Sequence, residues 1–387
     1  VLDKLFTYKE RLLRWSKAHK KKLTLHTSVL AVGLGLVLVS SQYLPAVQAP
    51  EVDKADGAVL TASFVGDLMF DRHIKDVIKE KGYDYLFEYS EPYFNESDFC
   101  TGSFKHPVHV PGEDLPPNEE QQVVFSAEPE AVNALADRNF KSVSIANNNI
   151  HDYGYLGFRS TVNFFDDHEA IDAAGVMNDL EDVENAVYFE HDGMTIATLG
   201  ASDIVAANSA ATTFRPGIMP LDRPELVISS ILKAGENADL VIVHTHWGEA
   251  YDSHVTNRQR ELARAMSRAG ADVIIGHYPH VLAPVEVYND TLIFYSLGNF
   301  IFDQGWSRTR QTALAHYRLF EDGKAEVELV PFVMHEGQVR PPGEQSFRRR
   351  SIERMLTKRL DKNQWKKRDG NVVIPLNHSR AIAGTGE

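Results

Sequence analysis

Residues 270–288 read GADVIIGHYPHVLAPVEVY, and residues 295–306 read YSLGNFIFDQGW. The first stretch opens on the β-branched run Val273-Ile274-Ile275, which has strand character, and breaks at Gly276 into His277-Tyr278-Pro279-His280. Two imidazoles so spaced can converge from a single loop after a strand. The second stretch passes from an apolar run into Gly298-Asn299, again a polar group at a strand end. The same grammar recurs upstream. SFVGDLMFDR ends its apolar run at Gly66-Asp67, SVSIANNNIHDYG at Asn147-Asn148, and VIVHTHWGEAYD at His244 and His246. Between such runs lie segments with helical periodicity, at 128–138, 156–167, 224–237 and 257–269. Strands alternating with helices predict an α/β layered domain, and ligands of such domains collect at the carboxyl ends of the strands. The later runs TALAHYRLF and AEVELVPF have little helix between them, which predicts a partly antiparallel second sheet. Gly66 and Gly276 are expected to let backbone approach a bound ion closely.

The chain has 387 residues, 43% hydrophobic and 24% charged, which excludes a disordered or collagen-like protein. The lone Cys100 excludes a disulfide framework and a Cys-rich zinc site. A net charge of −14 excludes a general nucleic-acid binder. That charge is uneven. Residues 1–22 carry eight Lys/Arg against Asp3 and Glu10, and residues 23–44, LTLHTSVLAVGLGLVLVSSQYL, carry no charge. About 20 apolar residues span a bilayer core, so 23–44 is expected to be one transmembrane anchor, with 1–22 cytoplasmic and the remainder outside the cell. A cleaved signal peptide fits less well, because the apolar run is long and Pro50 follows the small-residue site Val47-Gln48-Ala49. No cysteine stands directly after the span, which argues against a lipid-anchored lipoprotein. Residues 45–57 read as a linker, 58–340 as the main domain, and 341–387 as a basic C-terminal extension. Within that extension, residues 343–370 hold ten Lys/Arg against four acids, a patch able to steer a polyanion.

Imidazoles, a carboxylate and amides gathered at strand ends suit a divalent transition metal, or a pair that clamps a phosphate and activates water. FVGDLMFDR, ANNNIHDYG, HWGEAYD, GADVIIGHYPHVLAPVEVY and YSLGNFIFDQGW together resemble the CapA/PgsA family of poly-γ-glutamate capsule biosynthesis proteins. The resemblance implies a two-sheet sandwich flanked by helices, similar to calcineurin-like metallophosphoesterases. It implies work beside membrane-embedded poly-γ-glutamate synthase subunits and on the polymer itself. It carries metal-ligand roles to Asp67, Asn148, His246, His277 and His280, with Asn299 in the SLGNF motif. It carries catalytic roles to Arg72 and Asp152, with a manganese, zinc or iron ion as the implied cofactor.

Three motifs depart from the family pattern. GSFKH replaces G-N-[FL]-E, placing Ser103 and Lys105 where the family has Asn and Glu. Asn149 stands where the family has the His of NNH, with His151 two residues on as the candidate stand-in proton donor. Ala250 stands in HWGxE, with Glu249 one place early. An ammonium is no ligand and its charge opposes a dication, so Lys105 is expected beside the place of one metal, and the metal is open to loss. The reading is a membrane-anchored accessory subunit of polymer synthesis and export. The alternative is an active extracytoplasmic metallohydrolase cleaving a phosphoester or a γ-glutamyl amide.

Overall fold

A computed structural model of the chain describes residues 7–42, 49–52, 55–113, 115–119, 123–206, 208–305, 308–343 and 346–383. It divides into two units, residues 1–48 and 49–387. The first holds two helices, Tyr8–Lys20 and Leu23–Gln42. The Thr7 and Glu10 side chains cap the first of them reciprocally. The expected span 23–44 falls on the second helix, and residues 43 and 44 lie outside the described residues. Among the described residues no helix is long and apolar enough to cross a membrane.

The second unit is built on two sheets. In the larger, the strand Ala58–Leu68 lies at the centre, parallel to Phe99–Phe104, which continues through Ser142–Ser144 to Asp172–Ala174. On its other side the sheet runs antiparallel through Gln311–Phe320, Lys324–His335, Asn371–Asn377 and Lys366–Arg368. In the smaller sheet Met194–Ser202, Leu240–His246, Val273–His277 and Thr291–Phe294 run parallel, flanked by antiparallel edges at Val187–His191 and Val285–Tyr288. The antiparallel strands expected in a second sheet therefore extend the first.

Side-chain alternation explains why the sheets stack. Leu60, Ala62 and Phe64 of the central strand point into a core shared with Ile196, Ile242, Val273 and Ile275 of the smaller sheet. The opposite face of the smaller sheet, with Leu199, Val243 and Ile274, packs under Ile231 and Met266 of the helices Pro224–Asn237 and Asn257–Ala269. The outer face of the larger sheet, with Leu68 and Val143, is covered by Ile74, Phe158 and Val162. The layers are helix, sheet, sheet, helix, as the resemblance implies. The helix Asn257–Ala269 shows the local logic. Thr256 accepts from Gln259 N–H at 3.2 Å, Gln259 Oε1 accepts from Thr256 N–H at 3.0 Å, and Gly270 closes the helix at φ +112°. The following strand is thereby aimed so that His277 emerges at its end.

Residues 341–387 are not an appended extension. Asn371–Asn377 pairs with Lys324–His335 in register, and Ile352 and Leu356 of the basic helix Phe347–Leu356 are fully buried in the inter-sheet core. The basic composition belongs to one face of an element whose other face completes the domain.

Gly66 and Gly276 are also reassigned. A Cβ at Gly276 would lie 2.2 Å from the Tyr295 carbonyl oxygen and 2.6 Å from Trp247 Nε1, and one at Gly66 would lie 1.9 Å from the Gly298 carbonyl oxygen. Both are required by chain packed on chain. We expect Gly276→Ala to cost about 3 kcal/mol of unfolding free energy, read as a lower denaturant midpoint at unchanged slope.

Buried imidazoles set the response to acid. His316, hydrogen-bonded through Nδ1 to Ser63 Oγ at 3.0 Å, is held by burial and by Arg318 down at about 3. Its folded value lies below its unfolded one, so between the two the unfolded chain binds the proton and the folded chain does not. Stability should fall as the pH drops below about 6.5, by about 1.4 kcal/mol per pH unit for this residue. His316→Gln should flatten that slope by one proton in urea titrations between pH 7 and 4.

Candidate functional site

The parallel strands of both sheets end along one edge, and register lines their last residues up. Asp67 is paired across the larger sheet with Ser103 and with Asn299, and Ser103 with Ser144. In the smaller sheet Ser202, His246 and His277 lie in register across three strands. The seam between these two rows is the candidate site. A cleft of about 550 Å³ opens over it, lined by Arg72, Lys105, Asn148, Asn149, His280 and Gln304 among others.

Asp67 is buried, and neither carboxylate oxygen has a hydrogen-bond partner. Its Oδ1 lies 3.2 Å from His277 Nδ1, which is also unpartnered, and its Oδ2 lies 3.5 Å from His280 Nδ1. His280 Nδ1 meets Asn299 Oδ1 at 2.8 Å, and burial followed by the Lys105 charge lowers this imidazole to about 4. Burial pushes the Asp67 carboxyl up, but the Lys105 ammonium and the two imidazoles outweigh it and hold it well below the usual carboxylate range.

Lys105 follows directly on the strand Phe99–Phe104, and its N–H is fixed to the Leu68 carbonyl at 3.0 Å. Its ammonium is 2.9 Å from Asn148 Oδ1 and 3.1 Å from His246 Nε2, which are themselves 3.0 Å apart. Only 2% of the residue is exposed, and burial lowers its pKa to about 8 against the pull of Asp67 and Asp152. Burial, with Lys105 beside it, holds His246 well below the ordinary imidazole value.

The expected metal ligands Asp67, Asn148, His246, His277 and His280 thus come together in one place. The catalytic candidates separate. Arg72 reaches the cleft, ion-paired to Asp303, with its guanidinium 4.8 Å over the Phe125 ring and 5.8 Å over Phe302. Asp152 is fully buried and accepts from Phe125 N–H at 2.9 Å and from Asn149 Nδ2 at 3.0 Å. Burial raises its carboxyl to about 6 against those bonds. His151 stacks on Phe158, ring centroids 4.5 Å apart, and neither ring nitrogen has a partner. It makes no hydrogen bond to the cleft, and Glu249 remains exposed to solvent.

Sequence reasoning named His244 only as a strand-end residue, without its supporting role, and passed over Gln304. His244 Nδ1 lies 2.9 Å from His277 Nε2, and His244 Nε2 lies 2.9 Å from Thr101 Oγ1, so a polar chain between the sheets orients His277. Gln304, joined to Asn299 at 3.1 Å and to the Tyr251 hydroxyl at 3.1 Å, closes the far wall. The FDQ triplet after the SLGNF motif carried that signal. Backbone strain marks the same place. Arg72, Tyr251, Tyr278 and His280 hold φ of +52°, +65°, +90° and +56°, a region such residues adopt at a cost of about 1–3 kcal/mol.

Donor atoms of the kind a metal takes are present in one half of this site. The unpartnered Asp67 oxygens and His277 Nδ1, with His280 and Asn299 adjacent, have the donor chemistry for one ion. The half formed by Asn148 and His246 already faces an ammonium. Among the described residues, no group of three or more His, Cys, Asp or Glu is arranged to hold a metal.

Comparison with known proteins agrees with the sequence motifs. Residues 61–304 match the family model "Bacterial capsule synthesis protein PGA_cap". The chain is 39% identical over 380 residues to the PGA biosynthesis protein CapA of Bacillus subtilis, covering 98% of each. It is 37% identical over 382 residues to the capsule biosynthesis protein CapA of Bacillus anthracis, covering 97% of this chain and 92% of that one. Among solved structures, the NAD nucleotidase of Haemophilus influenzae aligns at 14% identity and a TM-score of 0.36, covering 76% of this chain and 55% of that one. A hypothetical protein from Thermus thermophilus aligns at 12% identity and a TM-score of 0.39, covering 72% of this chain and 96% of that one. Scores this low bear on neither the architecture nor the chemistry of the cleft. The near full-length identity and the matched core decide the family: the chain belongs to the bacterial capsule synthesis proteins of the PGA_cap type.

Proposed function

We propose that the chain is an accessory protein of capsular poly-γ-glutamate synthesis, anchored in the membrane by residues 23–44, whose main domain meets the polymer outside the cell. The observation that carries the accessory role is the match, over nearly the whole of each chain, to proteins named for capsule and PGA biosynthesis. The cleft supports the polymer contact. It sets Lys105 and Arg72 among amide side chains, a combination suited to carboxylates. The basic face of the helix Phe347–Leu356 supplies long-range attraction on an otherwise acidic chain. The partners are the membrane-embedded synthase subunits and the polymer.

A second reading, an extracytoplasmic metallohydrolase of metallophosphatase type, is favoured by the unpartnered Asp67 carboxylate beside His277. Asp67, His277, His280 and Asn299 would hold its ion, which supplies Lewis acidity and an activated water. Against it, Asn149 and the stacked His151 leave the expected proton donor unplaced. We expect hydrolysis of simple aryl phosphodiesters by the purified full chain to stay near background.

Removing the chain from its cell should abolish surface-retained polymer, measured as glutamate released by hydrolysis of washed cells. The intact chain should restore it, and a version lacking residues 23–44 should not. Full surface polymer in cells without the chain would overturn the accessory role. External protease applied to intact cells should digest the main domain. Protection of that domain would overturn the topology.

A further inference from the structure

The ammonium of Lys105 sits where a ligand set would place an ion. Asn148 Oδ1 and His246 Nε2 are 3.0 Å apart. Two ligand atoms each about 2.1 Å from one ion, at right angles, are separated by about that distance. Lys105 Nζ caps the pair almost symmetrically, at 2.9 Å and 3.1 Å. When the ammonium donates to both, both atoms act as acceptors, as metal ligands do. Their close approach to each other is then explained by the cation they share. The two contacts occupy two of the three ammonium N–H groups, the third has no hydrogen-bond partner among the described residues, and Lys105 lines the cleft.

We propose that Lys105 is a tethered cation that permanently fills the ion position between Asn148 and His246, and that the cleft uses it, without metal, to grip an oxyanion of its ligand. The carboxylate of a γ-linked glutamate chain is the oxyanion that follows if the accessory role above is right. Phosphate shares the same chemistry and is the alternative source. The backbone supports a fixed role, because the Lys105 N–H is held at the end of a fully buried strand. Asp67 supplies the buried counter-charge, so the position is neutral before any ligand arrives.

The test uses the full chain purified in transition-metal-supplemented buffer, analysed for metal content, then stripped with chelator and titrated calorimetrically. The probes are a γ-linked glutamate oligomer and inorganic phosphate. The unmodified chain should carry no more than one equivalent of metal and should bind the oligomer after stripping. Lys105→Met should weaken that binding about tenfold or more, and Lys105→Arg should retain part of it. Lys105→Glu should raise the metal content by about one equivalent. Two firmly held ions in the unmodified chain would overturn the proposal, and that measurement stands even where a variant fails to fold. Undiminished oligomer binding by folded Lys105→Met would overturn it as well. Binding of phosphate with none of the oligomer would overturn the carboxylate assignment. These outcomes are separate from the accessory role, which is decided by surface polymer in cells.

Discussion

A carboxylate stripped of water needs a positive partner or a proton, and Asp67 has been stripped of water on every side. Its two oxygens lie unpartnered at the end of the central strand, in the seam between two sheets. Taking such a group out of water costs several kcal/mol unless an opposite charge stands close. Lys105 supplies that charge from the neighbouring parallel strand, which is in register with Asp67 at Ser103. The rest of the site is arranged around this pair. Burial keeps His280 neutral, Asn148 and His246 turn their acceptor atoms to the ammonium, and Arg72 is neutralised by Asp303 at the rim. Breaking one partner of a buried pair costs about 3–5 kcal/mol, whereas replacing both is often nearly neutral. The pair is therefore weak evidence for stability and better evidence for a selected charge state.

Much of this geometry was legible in the chain because strand and site obey one rule. A run such as Val241-Ile242-Val243 or Val273-Ile274-Ile275 is apolar because it is buried on both faces, and the first polar residues after it mark the strand's carboxyl end. Asp67, His246 and His277 follow from that reading, as do the helices at 224–237 and 257–269. Lys105 was legible by its chemistry, since a lysine in an acidic ligand's place must either turn away or stand in for the ion. Its ammonium turns inward, onto Asn148 and His246.

Other parts were hidden for physical reasons. The strand Phe99–Phe104, FCTGSF, carries Gly102 at its middle and has no clear alternation. That glycine is needed because a Cβ there would lie 2.7 Å from Val65 Cγ2. The strand Asn371–Asn377 contains Pro375 and follows a run of lysines and arginines, so composition points to a solvated tail. Pairing with Lys324–His335 on one side and Lys366–Arg368 on the other makes it a strand. His151 misleads in the opposite direction. Sequence proximity to Asn149 suggests a displaced catalytic group, but an imidazole beside Phe158 gains more by stacking than by reaching across a loop.

The polar chain behind His277 connects the charge state of the cleft to the sandwich itself. Ser142 Oγ contacts Thr198 Oγ1 at 3.0 Å and Thr101 Oγ1 at 3.3 Å, Thr101 meets His244, and His244 meets His277. The Ser142–Thr198 and Thr101–His244 contacts cross from one sheet to the other, so the chain is also a seam that holds them together. It admits two proton arrangements. When His244 donates to His277 Nε2, the neutral His277 carries its hydrogen on Nδ1, facing Asp67. When His277 donates to His244, its Nδ1 presents a lone pair to the same carboxylate. The first arrangement suits a metal-free cleft, because Nδ1–H then adds a positive edge beside Asp67 to the charge of Lys105. The second suits an ion held between Asp67 and His277. Which cation occupies the cleft therefore selects the tautomer of a residue in the inter-sheet seam, and the fold and the site answer to the same charge.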